Sequence, residues 1–444
     1  MKKVLILGAG LVAKPLVRYL LDQPNFEVEV ASRTVSKAIK LIDNHPNGTA
    51  KELNLKNEEG LKNEVANADL VISMVPYAFH PKVAKYCIHY QKHMVTTSYV
   101  SEIMQNLDDE AKRAGILILN EIGLDPGIDH MEAMRIIHEV KEKGGEITSF
   151  TSYCGGLPAP EANTNPFGYK FSWSPIGVLL AGKNSAQYYK DGQQVFVPSE
   201  NLFDDFKIIP IEGLGDFEGY PNRNSLPYID LYNIGSTRTM LRGTLRNLGW
   251  CQTMKKIVDL GLLDEEKKDW TGMTYAGFLR HLLEEPDDTD LKKSLASRMG
   301  MDENGVSDVI QRLEWLGLLD EKPLPMEKGS ALDVLGALML EKLQFEEGER
   351  DMIVLEHTFE ASYPDGKKEK ITSTLVDFGI PGGDSSMSRT VGLPAAIGTR
   401  LILEGKIQEL GVHIPVIPTI YAPILEELKG MGIAFSEKKE WIEA

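Results

Sequence analysis

The chain has 444 residues, enough for two or three domains with full hydrophobic cores. It is 42% hydrophobic and 25% charged, and its formal net charge of −17 argues against nucleic acid or an anionic membrane as a partner. On so acidic a protein, an anionic substrate requires arginines gathered locally.

Met1-Lys2-Lys3 and the apolar run behind it have the outline of a signal peptide, but the run breaks at Lys14 and continues as an amphipathic helix. No stretch reaches the length of a membrane span. The three cysteines, Cys87, Cys154 and Cys251, are odd in number and widely spaced, and fit neither a disulfide framework nor a zinc site. A reducing cytoplasm and no metal are the expectation.

Lys3 to Leu7 read as a buried parallel strand, followed by Gly8-Ala9-Gly10-Leu11-Val12-Ala13 and a helix with Leu16, Val17 and Leu20 on one face. This GxGxxA pattern opens a dinucleotide-binding unit. Gly8 permits the turn, Gly10 lets the backbone approach a pyrophosphate, and the small Ala13 lets the helix pack close to the strand. The helix N-terminus offers its free N–H groups to the anion. A second strand, Val28 to Ala31, ends in Ser32-Arg33-Thr34. An Asp or Glu there would mark NAD, whereas Ser32 beside Arg33 suits a 2′-phosphate, so NADP is favoured over NAD.

Further strands near 50–55, 69–75, 93–97 and 116–120 alternate with helices near 60–66, 80–90 and 101–114. The alternation predicts a right-handed, doubly wound parallel sheet, with one crevice lined by the loops beyond the strand ends. Gly8–Ala13, Ser32–Thr34, Val75–Tyr77, Ser98–Tyr99 and Gly123–Gly127 meet there. Beyond Asp129 a helix over 130–143 precedes a strand over 147–154 of a different sheet. A dense loop from Cys154 to Glu161 and an aromatic run from Phe167 to Trp173 read as a binding surface, with a packed interdomain seam as the other reading.

Residues 249–346 read as helices only, with apolar stripes such as Phe278, Leu279, Leu282 and Leu283, and Val306, Val309, Ile310 and Leu313. Ser330 with Asp333 is a helix-start cap, and Trp250, Trp270 and Trp315 are expected to pack in this segment. Tyr363-Pro364-Asp365-Gly366 between two β-rich runs predicts a hairpin. Helices over 391–403 and 424–431 close the chain and are apolar enough to dock on the first domain.

Arg223, Arg242 and Arg246 are candidates for holding carboxylates, because the guanidinium fork matches a carboxylate bidentately. Each singly also fits a surface or interdomain ion pair. Candidates for proton transfer are Asp125, Cys154 and Tyr99. Against that, an Asp before Pro-Gly also fits a plain turn, and a Cys at a strand end fits a small buried hydrophobe. His80, His89, His93 and His130 lack metal-ligand spacing, and no Walker loop or HExxH occurs.

Glu121-Ile122-Gly123-Leu124-Asp125-Pro126-Gly127-Ile128-Asp129-His130, Ser152-Tyr153-Cys154-Gly155-Gly156-Leu157-Pro158-Ala159-Pro160-Glu161 and Val95-Thr96-Thr97-Ser98-Tyr99 resemble the saccharopine dehydrogenases of the glutamate-forming type. So do Tyr169-Lys170-Phe171-Ser172-Trp173-Ser174, Gly219-Tyr220-Pro221-Asn222-Arg223 and Leu241-Arg242-Gly243-Thr244-Leu245-Arg246, and the resemblance runs over essentially the whole chain. It implies an α/β protein in three parts. A Rossmann domain comprises residues 1–128 and 391–444, a mixed α/β substrate and dimerisation domain 129–248 and 347–390, and an inserted all-helical domain 249–346.

The resemblance implies reversible NAD(P)-dependent cleavage of saccharopine to glutamate and 2-aminoadipate 6-semialdehyde by a homodimer. Ser98, Tyr99, Asp125, Arg223, Thr244, Leu245 and Arg246 then match substrate positions. Gly10, Leu11, Val12, Ser32, Arg33, Val75, Thr97, Leu124, Pro126 and Trp173 match cofactor positions, to which the glycine turn and the loop after the second strand add Gly8 and Thr34. A same-fold dehydrogenase of the carboxynorspermidine type and a non-catalytic NADP-binding scaffold or sensor are the alternatives.

Overall fold

The computed structural model describes residues 1–299 and 308–442; Val306 lies outside them. The chain forms two compact units, Met1–Ile147 with Ala361–Ala444, and Thr148–Glu360.

The first unit alternates β1 (Lys2–Leu7), α1 (Ala13–Leu21), β2 (Phe26–Ser32), α2 (Val35–Ile42), β3 (Gly48–Glu52), α3 (Glu58–Ala66), β4 (Leu70–Ser73), α4 (His80–Tyr90), β5 (His93–Val95), α5 (Glu102–Gln105), α6 (Asp108–Ala114), β6 (Leu117–Leu119) and α7 (Ile128–Glu142). Val4 to Leu7, Leu70 to Ile72 and Leu117 to Leu119 are fully buried. Such continuous apolar runs mark parallel strands covered on both faces. The single helix expected over 101–114 is two. Ser101 caps α5 by accepting the Met104 N–H, and the chain turns again at Asn106-Leu107 before α6.

In the second unit, β7 (Glu146–Pro158) is followed by α8 (Pro175–Ala181), β8 (Ala186–Lys190), β9 (Gln193–Val197), β10 (Lys207–Ile211), β11 (Gly215–Pro221), α9 (Pro227–Leu231), β12 (Thr239–Arg246) and α10 (Trp250–Asp259). Then come β13 (Lys268–Asp269), α11 (Tyr275–Leu282), α12 (Leu291–Arg298), α13 (Asp308–Leu316), β14 (Lys328–Gly329), α14 (Ala331–Lys342) and β15 (Asp351–Ser362). The sheet order is β10-β11-β12-β7-β15, with β12 parallel to β7 and the β10–β11 and β11–β12 pairs antiparallel. The sheet is therefore mixed.

Two expectations are corrected here. Cys154 does not end its strand. β7 continues to Pro158, so Cys154 lies inside the sheet opposite Thr244 of β12. Gly155 is what admits the close approach, since a side-chain carbon there would stand 2.7 Å from the Leu245 carbonyl oxygen. Residues 249–346 are not helices only, because β13 and β14 pair as a short antiparallel ribbon. Ser330 and Asp333 do form a reciprocal capping box on α14. Trp270 is buried, donating to the Gly329 carbonyl at 2.7 Å, and Trp250 is buried, whereas Trp315 is 36% exposed and rests against Phe167.

The chain returns to the first unit through the turn at Tyr363–Lys367, where Gly366 N–H donates to Tyr363 O at 2.9 Å, and then through β16 (Lys368–Phe378), α15 (Ser386–Leu403), β17 (Gly411–His413), α16 (Pro418–Gly430) and β18 (Phe435–Ile442). β17 joins the parallel sheet beside β6, giving the order β3-β2-β1-β4-β5-β6-β17. The first six strands thus stand 3-2-1-4-5-6, the doubly wound dinucleotide-binding order. Gly392 lets α15 pack on the backbone of α1, because a side-chain carbon there would lie 3.0 Å from Val12 O.

Candidate active site

The turn from β1 to α1 is shaped for an anion. Gly8 has φ +112°, and a side-chain carbon there would lie 2.8 Å from the Met74 carbonyl oxygen, so only glycine fits between the ends of β1 and β4. At Gly10 a side-chain carbon would meet nothing within 4 Å, which leaves the turn open on its outer face. Val12 precedes α1 without a side-chain cap; the Ala13 N–H donates to Gly10 O at 3.2 Å and Pro15 has no N–H, which leaves the Lys14 N–H as the first-turn donor for a phosphate oxygen. At the end of β2, Ser32 Oγ accepts the Thr34 N–H at 3.2 Å, while Arg33 is exposed and makes no ion pair among the described residues. The open turn and the unpaired guanidinium fit the diphosphate and 2′-phosphate of NADP. Val75 and Thr97 lie beyond the ends of β4 and β5, half-exposed.

The loops beyond β5 and β6 are fastened together. Glu121, with φ +56°, donates its N–H to Ser98 O at 3.1 Å. One oxygen of its carboxylate accepts the Val100 N–H at 2.8 Å, and the other lies 2.7 Å from His130 Nε2, with His130 fully buried. Across this clamp, Tyr99 Oη donates to Asp125 Oδ1 at 2.9 Å. Every residue from Glu121 to His130 is buried except Asp125, whose carboxyl group reaches the surface of the turn. Leu124 and Pro126 flank it with buried side chains, and their carbonyls accept the Asp129 N–H at 3.0 Å and the Gly123 N–H at 2.9 Å, which fixes the turn. Gly127 closes the turn with φ +149°, and a side-chain carbon there would fall 2.1 Å from the Gly123 carbonyl oxygen.

In the second unit, Arg246 is the feature with the clearest chemistry. Its side chain is 6% exposed and its guanidinium lies 5.0 Å from the Tyr169 ring and 5.5 Å from the Trp250 ring. Nη1 donates to its neighbour's carbonyl, Leu245 O, at 2.7 Å, but Nε has no partner and no carboxylate pairs with the group among the described residues. Glu218 stands opposite it in the β11–β12 ladder, yet its two carboxylate oxygens accept the N–H groups of Gly249 and Cys251, both at 2.7 Å, at the start of α10.

Burial alone would lower Arg246. The surrounding phenols of Tyr220 and Tyr169 and the thiols of Cys154 and Cys251 outweigh it and hold the group above its ordinary value. None of these four neighbours is a carboxylate. The Tyr169 hydroxyl, Ser172 Oγ and Trp250 Nε1 are likewise buried without partners among the described residues. A buried guanidinium without a carboxylate partner among the described residues has the chemistry to hold an anion.

The remaining candidates separate along the same ladder. Thr244 is half-buried and Leu245 buried on β12. Arg223, exposed with φ +57°, follows β11 at the end where Asn222 N–H donates to Arg242 O, the far end from Arg246. Arg242 is buried with its guanidinium 4.3 Å from the Tyr228 ring. Trp173 is half-buried and packs against Gly177. Sequence reasoning missed Tyr169, Trp250, Glu218, His80 and the Glu121–His130 pair as site-builders. The nearest signal was that Tyr169, Glu121 and His130 fall inside the long motifs.

A parallel sheet in the 3-2-1-4-5-6 order with an open glycine turn defines a Rossmann-type dinucleotide-binding protein joined to a mixed-sheet domain. Residues 4–119 match the model of the saccharopine dehydrogenase NADP binding domain, and residues 123–433 that of the saccharopine dehydrogenase C-terminal domain. The chain belongs to the saccharopine dehydrogenase family. It is 43% identical to saccharopine dehydrogenase [NADP(+), L-glutamate-forming] of Pyricularia oryzae and 43% identical to the enzyme of that name from Saccharomyces cerevisiae, each comparison covering 98% of this chain and 99% of the relative. The solved apo saccharopine dehydrogenase (L-Glu forming) from Saccharomyces cerevisiae superposes with a TM-score of 0.90 at 41% identity, covering 99% of this chain and all of that one.

Proposed function

We propose that the chain is an NADP-dependent oxidoreductase acting on a CH–NH donor, interconverting saccharopine and water with L-glutamate and L-2-aminoadipate 6-semialdehyde in lysine metabolism. Full-length relatives that carry this activity in their names support the reaction. The observation on this chain that carries the substrate class is Arg246, a buried guanidinium without a carboxylate partner among the described residues, which suits one of saccharopine's three carboxylates.

Gly8, Gly10, Leu11, Val12, Ser32, Arg33, Thr34, Val75, Thr97, Leu124, Pro126 and Trp173 are the proposed contacts of NADP, which when bound supplies hydride acceptance from the carbon beside the secondary amine. Ser98, Tyr99, Asp125, Arg223, Thr244, Leu245 and Arg246 are the proposed substrate contacts. The resulting imine needs water activated by a base, and the departing amine needs a proton. Asp125 is proposed for both transfers, with the Tyr99 hydroxyl fixing one carboxylate oxygen at 2.9 Å so that the group keeps one orientation through the cycle. Cys154, close enough to raise the Arg246 value, is proposed as the polar lining of the anion site and the second acid/base candidate.

The reading also assigns 1–128 with 391–444 to the cofactor domain and 129–248 with 347–390 to a substrate and dimerisation domain. It treats 249–346 as a largely helical insertion and expects a cytoplasmic homodimer. This functional division is drawn from sequence and is distinct from the compact units above. The test is NADPH oxidation with glutamate and aminoadipate semialdehyde. Turnover supports the proposal, turnover only with a carboxynorspermidine-type substrate moves the chain to that activity, and cofactor binding without any turnover makes it a scaffold or sensor.

A further inference from the structure

A buried polar chain runs through the first unit beneath the loop that carries Ser98. His80, at the first position of α4 and 3% exposed, has Nδ1 2.9 Å from Ser73 Oγ and Nε2 2.8 Å from Ser98 Oγ. Thr96 Oγ1 lies 3.4 Å from the same Nε2. Burial pulls His80 down to about 4, so the ring is neutral in the working range of a cytoplasmic enzyme and one nitrogen donates while the other accepts.

The threonine decides which. Thr96 Oγ1 donates its only proton to the Ser73 carbonyl at 2.8 Å and therefore turns lone pairs toward Nε2, while also receiving the Ser98 N–H at 3.4 Å. An unprotonated Nε2 would face those lone pairs with its own. A protonated Nε2 instead donates to Ser98 Oγ and, more weakly, to Thr96 Oγ1. Nδ1 then accepts from the Ser73 hydroxyl, and every group in the chain is satisfied.

We propose that His80 is a positioning residue: carrying its proton on Nε2, it occupies a lone pair of Ser98 and leaves the Ser98 hydroxyl to act outward as a donor, which fits it to a substrate carboxylate. The proposal rests on the assignment of Ser98 to the substrate, and Ser98, half-exposed, has His80 as its side-chain partner. Nothing passes through the relay during the reaction. Its effect is on binding, by fixing the direction of one hydroxyl before substrate arrives.

Two measurements on the full-length enzyme test it. Nitrogen-15 NMR of histidine-labelled wild type is expected to show His80 neutral with the proton on Nε2 and an unprotonated Nδ1; the opposite tautomer overturns the relay. In steady-state kinetics, His80→Leu is expected to raise the KM for saccharopine about tenfold, the scale of one misdirected hydrogen bond, with kcat within about threefold and the KM for NADP unchanged. His80→Gln, whose amide can still donate to Ser98, should recover most of the loss, and His80→Leu should add nothing in a Ser98→Ala background. Additive losses in the double variant, or equal losses for both ligands, overturn the positioning role. If Ser98→Ala leaves the saccharopine KM unchanged while the Nε2 proton is present, the relay stands as structure, and both the substrate assignment of Ser98 and the specificity role fall.

Discussion

Replacing Arg246 with Met separates a binding charge from a structural one. The guanidinium is buried, its Nε is unpaired and no carboxylate among the described residues pairs with it, so it carries a desolvation penalty of several kcal/mol with no ion pair to offset it. Against that stand its contacts over Tyr169 at 5.0 Å and Trp250 at 5.5 Å, each contributing about 0.5–2 kcal/mol. Met fills similar volume and keeps contact with both rings. The unliganded variant should therefore unfold in urea at a free energy equal to wild type or about 1–3 kcal/mol above it. With substrate the sign reverses, because a carboxylate deprived of its buried partner loses about 2–5 kcal/mol, which is roughly 30- to 5,000-fold in kcat/KM for saccharopine. The KM for NADP should not move. Saccharopine should raise the melting temperature of wild type and leave that of the variant nearly unchanged. A variant destabilised by more than about 2 kcal/mol, with kcat/KM for saccharopine within threefold of wild type, would show that Arg246 serves the fold and that the anion binds elsewhere.

Arg33→Ala should lower kcat/KM with NADPH about tenfold and leave NADH turnover unaltered, so the ratio of the two efficiencies is the readout; an equal fall with both cofactors contradicts the 2′-phosphate assignment. Glu121→Gln replaces the carboxylate oxygen that contacts His130 Nε2 while keeping an acceptor for the Val100 N–H, and should cost about 1–3 kcal/mol in urea unfolding and lower kcat through the Tyr99–Asp125 pair. Unchanged turnover in that variant would show that the clamp holds only the loops. His80 sits well below its unfolded value near 6.5, so the unfolded chain binds the extra proton between about pH 6.5 and 4. Its contribution is complete above pH 6.5 and is lost as pH falls to about 4, by roughly 3 kcal/mol in all. The difference in unfolding free energy between wild type and His80→Gln should shrink across that window, and a constant difference refutes the buried neutral ring.

The parts of the fold visible in the sequence are those governed by neighbours along the chain. The Gly8–Ala13 turn, the fully buried strand runs and the Ser330–Asp333 cap each depend on residues within one or two turns, so composition and spacing expose them. β17 was hidden because three residues cannot show a period, and β18 because Ser436 to Glu440 alternate no apolar face. Gly155-Gly156 and Pro158 disguised the far half of β7 as a loop, since the reason for Gly155 is the Leu245 carbonyl of another strand. The site divides in the same way. Asp125, Tyr99 and Arg246 stand in motifs long enough to be noticed. His80 gives no local signal, because its meaning lies in Ser73, Thr96 and Ser98, which come from the ends of two different strands.

Net charge and the Arg246 site answer one constraint at two distances. A chain at −17 repels an anionic substrate over the roughly 8 Å that salt leaves unscreened, so long-range attraction cannot be what gathers saccharopine. Recognition must then be strong at contact, and a guanidinium is strongest where water is absent and no internal carboxylate competes for it. That is the environment of Arg246, with its facing Glu218 already committed to the N–H groups of Gly249 and Cys251. Had Glu218 been free to pair with Arg246, the ladder would be neutral and closed to an anion. Its diversion to the start of α10 thus satisfies a helix terminus and leaves the buried Arg246 charge without that carboxylate as a partner, as the proposed anion site requires, two consequences of one side-chain orientation.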